Sequence, residues 1–233
     1  MKISGANVLV TGANRGLGRQ FALSLLERGA AKVYAAARRP STIDIPGVTP
    51  LQLDITDQAS VEAAAAAAPD VTILINNAGI STMTNLLDAD LAGIRSELDT
   101  HFWGTLAVTR AFAPQLADGA ILNVLSALSW FAYEGAGAYH VAKAAEWALT
   151  NSVRLELAKQ GTLVTGLHLG AADTDMMSWY EGDKTAPADI INAALDGLEA
   201  NKIEVVADQW SAHVKSTLSN NPTTFYADTV VGS

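Results

Sequence analysis

The stretch Asn7-Val8-Leu9-Val10-Thr11-Gly12-Ala13-Asn14-Arg15-Gly16-Leu17-Gly18 decides the architecture. It opens on a short, mostly apolar run of strand character. Glycines follow at 12, 16 and 18, and apolar residues then recur at helical spacing from Gly16 to Arg28, where Gly29 closes the pattern. A strand, a glycine turn and a helix in that order form the first unit of an open α/β sheet. The glycines permit a tight turn and close backbone approach, and the free N–H groups at the helix start favour an anion.

The same alternation continues along the chain. Strands are expected at Lys32 to Ala37, Val48 to Leu53, Val71 to Ile75, Ala120 to Leu125, Leu163 to His168 and Ile203 to Val206. Between them lie an alanine-rich helix from Asp57 to Ala68, a long helical region from Asp90 to Leu116 bent near Pro114, and a helix from Ala138 to Lys159. Helices from Pro187 and over 208–220 follow a mixed loop after Gly170. About seven strands alternating with helices predict a doubly wound, Rossmann-like parallel α/β sheet covered on both faces. The 233 residues suit one domain, with 220–233 as a flexible or partner-docking tail.

Composition narrows the chemistry. The chain has no cysteine, which rules out disulfides, thiolate zinc sites and a thiol nucleophile. Four histidines, His101, His140, His168 and His213, lack metal-ligand spacing, so no metal is expected. A net charge of −9 argues against nucleic acid as a partner. No uncharged apolar stretch is long enough to span a bilayer, and the N-terminus lacks the layout of a secretory signal, so a cytoplasmic protein with no membrane partner is expected. Residues 1–39 nevertheless carry seven basic side chains and one acid, leaving +6 there and −15 elsewhere. An anionic ligand at this end fits that imbalance.

The end of the second strand says which anion. An acid there would bond a ribose 2′-hydroxyl, whereas arginine meets a 2′-phosphate. The strand runs Tyr34-Ala35-Ala36-Ala37-Arg38-Arg39 with no carboxylate. Arg38, aided by Arg15, therefore predicts NADP(H) as cofactor.

Further residues carry chemistry. Tyr139 and Lys143 stand one helical turn apart on one face, so a phenol and an ammonium share a site. A nearby cation is expected to lower the phenol's pKa and fit it for proton transfer. With Asn76-Asn77-Ala78-Gly79 after the fourth strand, Ser126 thirteen residues before Tyr139, and the segment Gly170 to Thr174, the chain resembles the short-chain dehydrogenase/reductase family over nearly its whole length.

The resemblance implies that Ser126 and Tyr139 hold a carbonyl oxygen while hydride attacks carbon and Tyr139 donates the proton, with alcohol oxidation as the reverse. It further implies cofactor contacts from Thr11, Gly12, Asn14, Arg15, Gly16, Leu17 and Gly18 in the turn, Arg38, Asp54 and Ile55 beyond it, Asn77, Ala78 and Gly79, and Tyr139, Lys143, Gly170 and Thr174. Asn76 and Asn123 read as struts between strands. Two departures stand out. Leu169 occupies a position where the family often has proline, and His101 falls where a fourth catalytic residue, usually asparagine, holds a relay water. Lys143 is expected to disfavour protonation of His101.

Met176, Met177, Trp179 and Tyr180, with Trp130, Phe131 and Tyr133, suggest a pocket for ketones or aldehydes bearing bulky apolar or aromatic groups, although core or interface packing would use the same residues. A non-catalytic NADP-binding sensor and a nucleotide-sugar epimerase or dehydratase are the rival readings. The intact Ser126, Tyr139 and Lys143 set weighs against the first, and the length against the second. The resemblance also implies a homodimer or homotetramer.

Overall fold

The computed structural model describes residues 1–226, and the last seven residues of the 220–233 tail lie outside them. Seven strands, β1 (Asn7–Thr11), β2 (Lys32–Ala37), β3 (Thr49–Gln52), β4 (Ile73–Asn76), β5 (Ala120–Val124), β6 (Leu163–His168) and β7 (Glu204–Val206), pair in parallel in the order β3-β2-β1-β4-β5-β6-β7. Because β1 leads outward to β2 and β3 before the chain returns to β4, the strand order reverses between β1 and β4. That reversal opens a crevice at the carboxyl ends of the strands. Pro50 is tolerated in β3 because this edge strand has a ladder on one side only.

Side chains alternate between two cores. Val8, Val10, Ile73, Ile75 and Leu122 point to one face, which α1 (Gly16–Glu27) and α6 (Pro187–Glu199) cover with Phe21, Leu25, Ile191 and Leu195. Leu9, Leu74 and Ile121 point to the other, under α2 (Gln58–Ala67), α4 (Thr105–Phe112) and α5 (Gly137–Leu157). Two-sided burial accounts for the unbroken apolar character of the central strands.

The helical region 90–116 departs from expectation. Instead of one helix bent at Pro114, α3 (Leu91–Leu98) passes into a π-helical turn, Asp99–Gly104, before α4. Gly104 permits this because a Cβ there would stand 2.9 Å from Ile55 Cδ1 and 3.1 Å from the Asp99 carbonyl oxygen. Pro114 causes no kink in a longer helix, since it starts a short 3-10 turn after α4 has ended. Beyond β7, α7 (Gln209–Ser216) is shorter than 208–220, and α8 (Thr223–Tyr226) brings the Tyr226 hydroxyl to the Ala132 N–H at 3.0 Å. No helix among the described residues is long and apolar enough to cross a membrane.

Candidate active site

The glycine turn takes the shape that its sequence requires. Gly12 and Gly16 have φ of +66° and +53°, in the left-handed region. A Cβ on Gly18 would stand 2.2 Å from the Gly12 carbonyl oxygen and 2.6 Å from Asn77 Nδ2, so turn and helix meet backbone to backbone. Gly18→Ala should lower stability by about 1–3 kcal/mol. Urea unfolding checks this, and an unchanged midpoint would mean that the turn relaxes freely.

The helix that follows has an open N-terminus. Asp57, Asp90 and Asp208 cap α2, α3 and α7 with side-chain oxygens, but α1 begins at Arg15 with no side-chain cap and no acid in its first turn. Its N–H groups face a cleft of about 600 Å³ and suit a phosphate. Gly12, Asn14, Arg15, Gly16, Leu17, Gly18, Arg38, Asp54, Ile55, Asn77, Ala78, Gly79, Gly170 and Thr174 all line this cleft, as do Arg39 and Thr42.

Thr11 does not line it. Its side chain is buried, and its hydroxyl oxygen accepts the N–H groups of Asn77 and Ala78, each at 2.9 Å, while Asn77 Nδ2 donates to its carbonyl. It therefore ties the turn after β1 to the segment after β4. Asn76 and Asn123 are struts. Asn76 Nδ2 donates to Asn123 Oδ1 at 2.8 Å, and Asn123 Nδ2 to the Thr150 hydroxyl at 2.9 Å.

The basic N-terminal third divides in two. Arg28 pairs with Asp196 and Glu199, and Lys32 with Asp70. Arg15 and Arg38 remain exposed at the cleft, without an ion pair among the described residues.

At the inner end of the cleft stand Ser126, Tyr139, Lys143 and His101. Ser126 Oγ accepts the Leu128 N–H at 3.1 Å and donates to the Leu169 carbonyl at 3.4 Å. Lys143 Nζ donates to the Val124 carbonyl at 2.8 Å and to Glu146 Oε2 at 2.7 Å, and lies 5.8 Å from the Tyr139 ring centroid. Glu146, one turn along α5, is fully buried and was not singled out from sequence.

Glu146 changes the electrostatics expected of the site. Burial raises the Tyr139 phenol above its ordinary pKa; Lys143 pulls it down, but Glu146 and Glu97 oppose the lysine, and the net shift is upward. Lys143 thus pulls in the expected direction, but the expected net lowering is overturned. The expectation for His101 is corrected likewise. Burial and Lys143 disfavour its charged form, but Glu146 and Glu97, at 3.5 and 3.4 Å, outweigh both and raise its pKa. The His101 ring stands edge-on to Tyr139, and Gly79 makes room for it, since a Cβ there would come within 2.7 Å of His101 Cε1.

His168 is a second supporting residue missed from sequence. Its Nδ1 lies 3.1 Å from the Ser126 carbonyl, and its ring stacks on Trp130 at 3.7 Å. Burial depresses its pKa to about 4. Since the unfolded chain then binds the proton more tightly, stability is full above the unfolded value of about 6.5 and falls as pH drops toward 4. The loss should reach about 3 kcal/mol from this group, and His140, also held neutral by burial, acts in the same sense. Denaturant unfolding across this range should show a flatter acid limb in His168→Asn; identical limbs would sink the assignment.

A second cavity, of about 780 Å³, adjoins the cleft and shares Ser126, Tyr139, Gly170, Met176 and Met177 with it. Phe131, Tyr133, Trp179 and Tyr180 line its walls, joined by Leu128 and Trp210. Trp130 lines neither space, because it turns away to pack against His168 and Trp147. Its expected substrate contact is withdrawn on that ground. The loop bearing Met176 to Tyr180 is closed at its base by backbone bonds between Ala171 or Asp173 and Thr185. Asp208 Oδ2 accepts the Gly170 N–H at 2.6 Å and so ties the loop's start to α7.

The family model described as short chain dehydrogenase matches residues 6–184. An NADPH-dependent 1-acyldihydroxyacetone phosphate reductase of Schizosaccharomyces pombe is 34% identical over 192 residues, covering 78% of this chain. The chain spans only 64% of that relative's length. A D-erythrulose reductase of Gallus gallus is 30% identical over 197 residues, 80% of each protein. Among solved structures, a short chain dehydrogenase from Burkholderia cenocepacia in complex with NADP is 37% identical, with a TM-score of 0.94 over 98% of both chains.

Proposed function

Because the chain belongs to the short-chain dehydrogenase/reductase family of oxidoreductases, we propose that it is an NADPH-dependent carbonyl reductase acting on ketones or aldehydes with bulky apolar or aromatic groups. One observation carries this reading: Ser126 and Tyr139 stand where the phosphate-binding cleft and the aromatic cavity meet. The cleft fits NADP(H) by its open α1 terminus and by Arg15 and Arg38 at the 2′-phosphate end, and the NADP complex of the Burkholderia relative supports the choice.

NADPH, when bound, supplies hydride. The protein's part is to place and protonate the carbonyl. Ser126 Oγ and the Tyr139 hydroxyl donate to the carbonyl oxygen, which gains charge as hydride arrives, and Tyr139 then delivers its proton there. The raised phenol pKa keeps that proton on Tyr139 near neutrality, ready for transfer to the carbonyl oxygen. Thr174, Asn77 and Lys143, which line the cleft, would hold the cofactor there. Exposed Val141, Trp147 and Leu155 along α5 support a homodimer or homotetramer.

NADPH consumption against a panel of aryl, branched alkyl and polyhydroxylated carbonyl compounds tests the reading. Aryl and bulky alkyl substrates should give the highest kcat/KM. Preference for the polyhydroxylated set would overturn the substrate class, and no turnover of any carbonyl would overturn the activity.

A further inference from the structure

Beside the site lies a group of buried ionisable side chains that the reduction step leaves without a task. Glu97 on α3 is 0% exposed and Glu146 on α5 is within 1% of that. His101, on the π-helical turn, stands between them, with Nδ1 3.5 Å from Glu146 Oε2 and Nε2 3.4 Å from Glu97 Oε2. Glu97 Oε2 and His101 Nδ1 have no hydrogen-bond partner of good geometry among the described residues. Burying two carboxylates is costly unless cations match them. Lys143 supplies one charge and protonated His101 the second.

The arrangement has an inner and an outer end. Inward, Glu146 Oε2 accepts from Lys143 Nζ at 2.7 Å, and its Oε1 accepts from the Thr105 hydroxyl of α4 at 3.1 Å. Outward, Glu97 Oε1 accepts from the N–H of Thr82 at 2.6 Å and from its hydroxyl at 3.0 Å, and Thr82 is exposed. The Thr84 hydroxyl lies 2.7 Å further on. The backbone of Ile80 serves both states of the imidazole. Its carbonyl oxygen lies 2.9 Å from Nε2 and accepts when that nitrogen is protonated; its N–H, at 3.3 Å, donates when it is bare. A purely structural histidine needs only one of these partners.

We infer that Thr82, Glu97, His101 and Glu146 form a proton relay that resupplies Lys143, and through it Tyr139, from the protein surface. The relay rests on the reading above, in which each reduction takes one proton from Tyr139. The phenolate regains it from the Lys143 ammonium. Lys143 is refilled by Glu146, Glu146 by His101 Nδ1–H, and His101 at Nε2 by Glu97, which draws on water at the Thr82 hydroxyl. In each hop one O–H or N–H bond breaks and one forms. Over a turnover one proton enters at Thr82, one leaves at Tyr139, and every relay group returns to its starting state; oxidation runs the path in reverse. Tyr139, Lys143 and the two carboxylates are the ionisable groups facing His101 from the surrounding elements. Glu97 and Glu146 are positioning residues acting through Lys143, not groups that touch substrate.

Two measurements test the relay. In the free protein, nitrogen-15 NMR of labelled histidine should show both His101 ring nitrogens protonated near neutral pH, and Glu97→Gln or Glu146→Gln should each move its titration to lower pH. In turnover, His101→Gln keeps a polar side chain that cannot shuttle protons, and kcat for reduction should fall by about tenfold or more. The KM for NADPH should stay within about twofold, while the solvent deuterium isotope effect grows as proton resupply becomes limiting. Should His101→Gln fail to fold, Glu97→Gln carries the same kinetic expectation from a greater distance. A His101 that stays neutral through mildly acidic pH, or variants that lose stability without any change in isotope effect, would overturn the relay. Normal turnover left unaltered by these substitutions strikes the relay alone, whereas no carbonyl turnover in the unaltered protein strikes the function on which it rests.

Discussion

Tyr139→Phe should lower kcat for carbonyl reduction by about three orders of magnitude while leaving NADPH affinity within about twofold. The substitution removes one hydroxyl and keeps the ring, including its edge contact with His101, so the helix and cleft retain their packing. What is lost is the transferable proton that Tyr139, held in its acid form, places at the junction of cleft and cavity. Cofactor fluorescence measures the binding, and single-turnover absorbance measures the reduction. A variant that binds NADPH and keeps a tenth of the rate would remove Tyr139 from the role of acid. Ser126→Ala should cost about a hundredfold, the scale of one lost donor to a developing oxyanion. Because Ser126 also accepts the Leu128 N–H, some loss of local order should accompany it.

Arg38→Asp should change the ratio of kcat/KM for NADPH over NADH by about 10²- to 10³-fold, bringing NADH level or ahead. A charge-assisted bond to phosphate contributes about 1.5–3 kcal/mol, and the new carboxylate adds repulsion of the phosphate and an acceptor for a ribose hydroxyl. Stability should move by less than about 0.5 kcal/mol, since Arg38 is exposed and has no ion pair among the described residues. Steady-state kinetics with both cofactors decide it. Equal efficiencies in the unaltered protein, or an unchanged ratio in the variant, would show that the phosphate is not read at this position.

The legibility of the site follows from how local each signal is. Tyr139 and Lys143 are readable because a four-residue step on a helix dictates a shared face. The cofactor turn is readable because glycine alone meets its backbone demands. Glu146 has the opposite character. An acid three residues after a lysine in a helix ordinarily marks a solvated pair, and only the packing of α3, the π-helical turn and β5 around α5 buries it. Glu97 is unreadable for the same reason. His101 lines the cleft beside Tyr139 and Lys143, but its pKa shifts opposite to expectation, because Glu97, one turn before it, and Glu146, from α5, outweigh the lysine and the burial. Trp130 fails differently: its position four residues after Ser126 suggests the pocket, yet the 3-10 turn after Ser126 directs its ring toward His168.

By itself the sequence determined the parallel doubly wound sheet, the glycine turn at its first helix, and the shared face of Tyr139 and Lys143, whereas Ser126 was legible only through the family resemblance. The first three depend on periodicity or on residues within a few positions, where backbone geometry leaves little freedom. Only the tertiary structure decided the upward pKa shifts of Tyr139 and His101, the burial of Glu97 and Glu146, and the walls of the second cavity. Those properties come from desolvation and from charges that packing brings within a few ångströms, and local spacing does not encode which of them are buried.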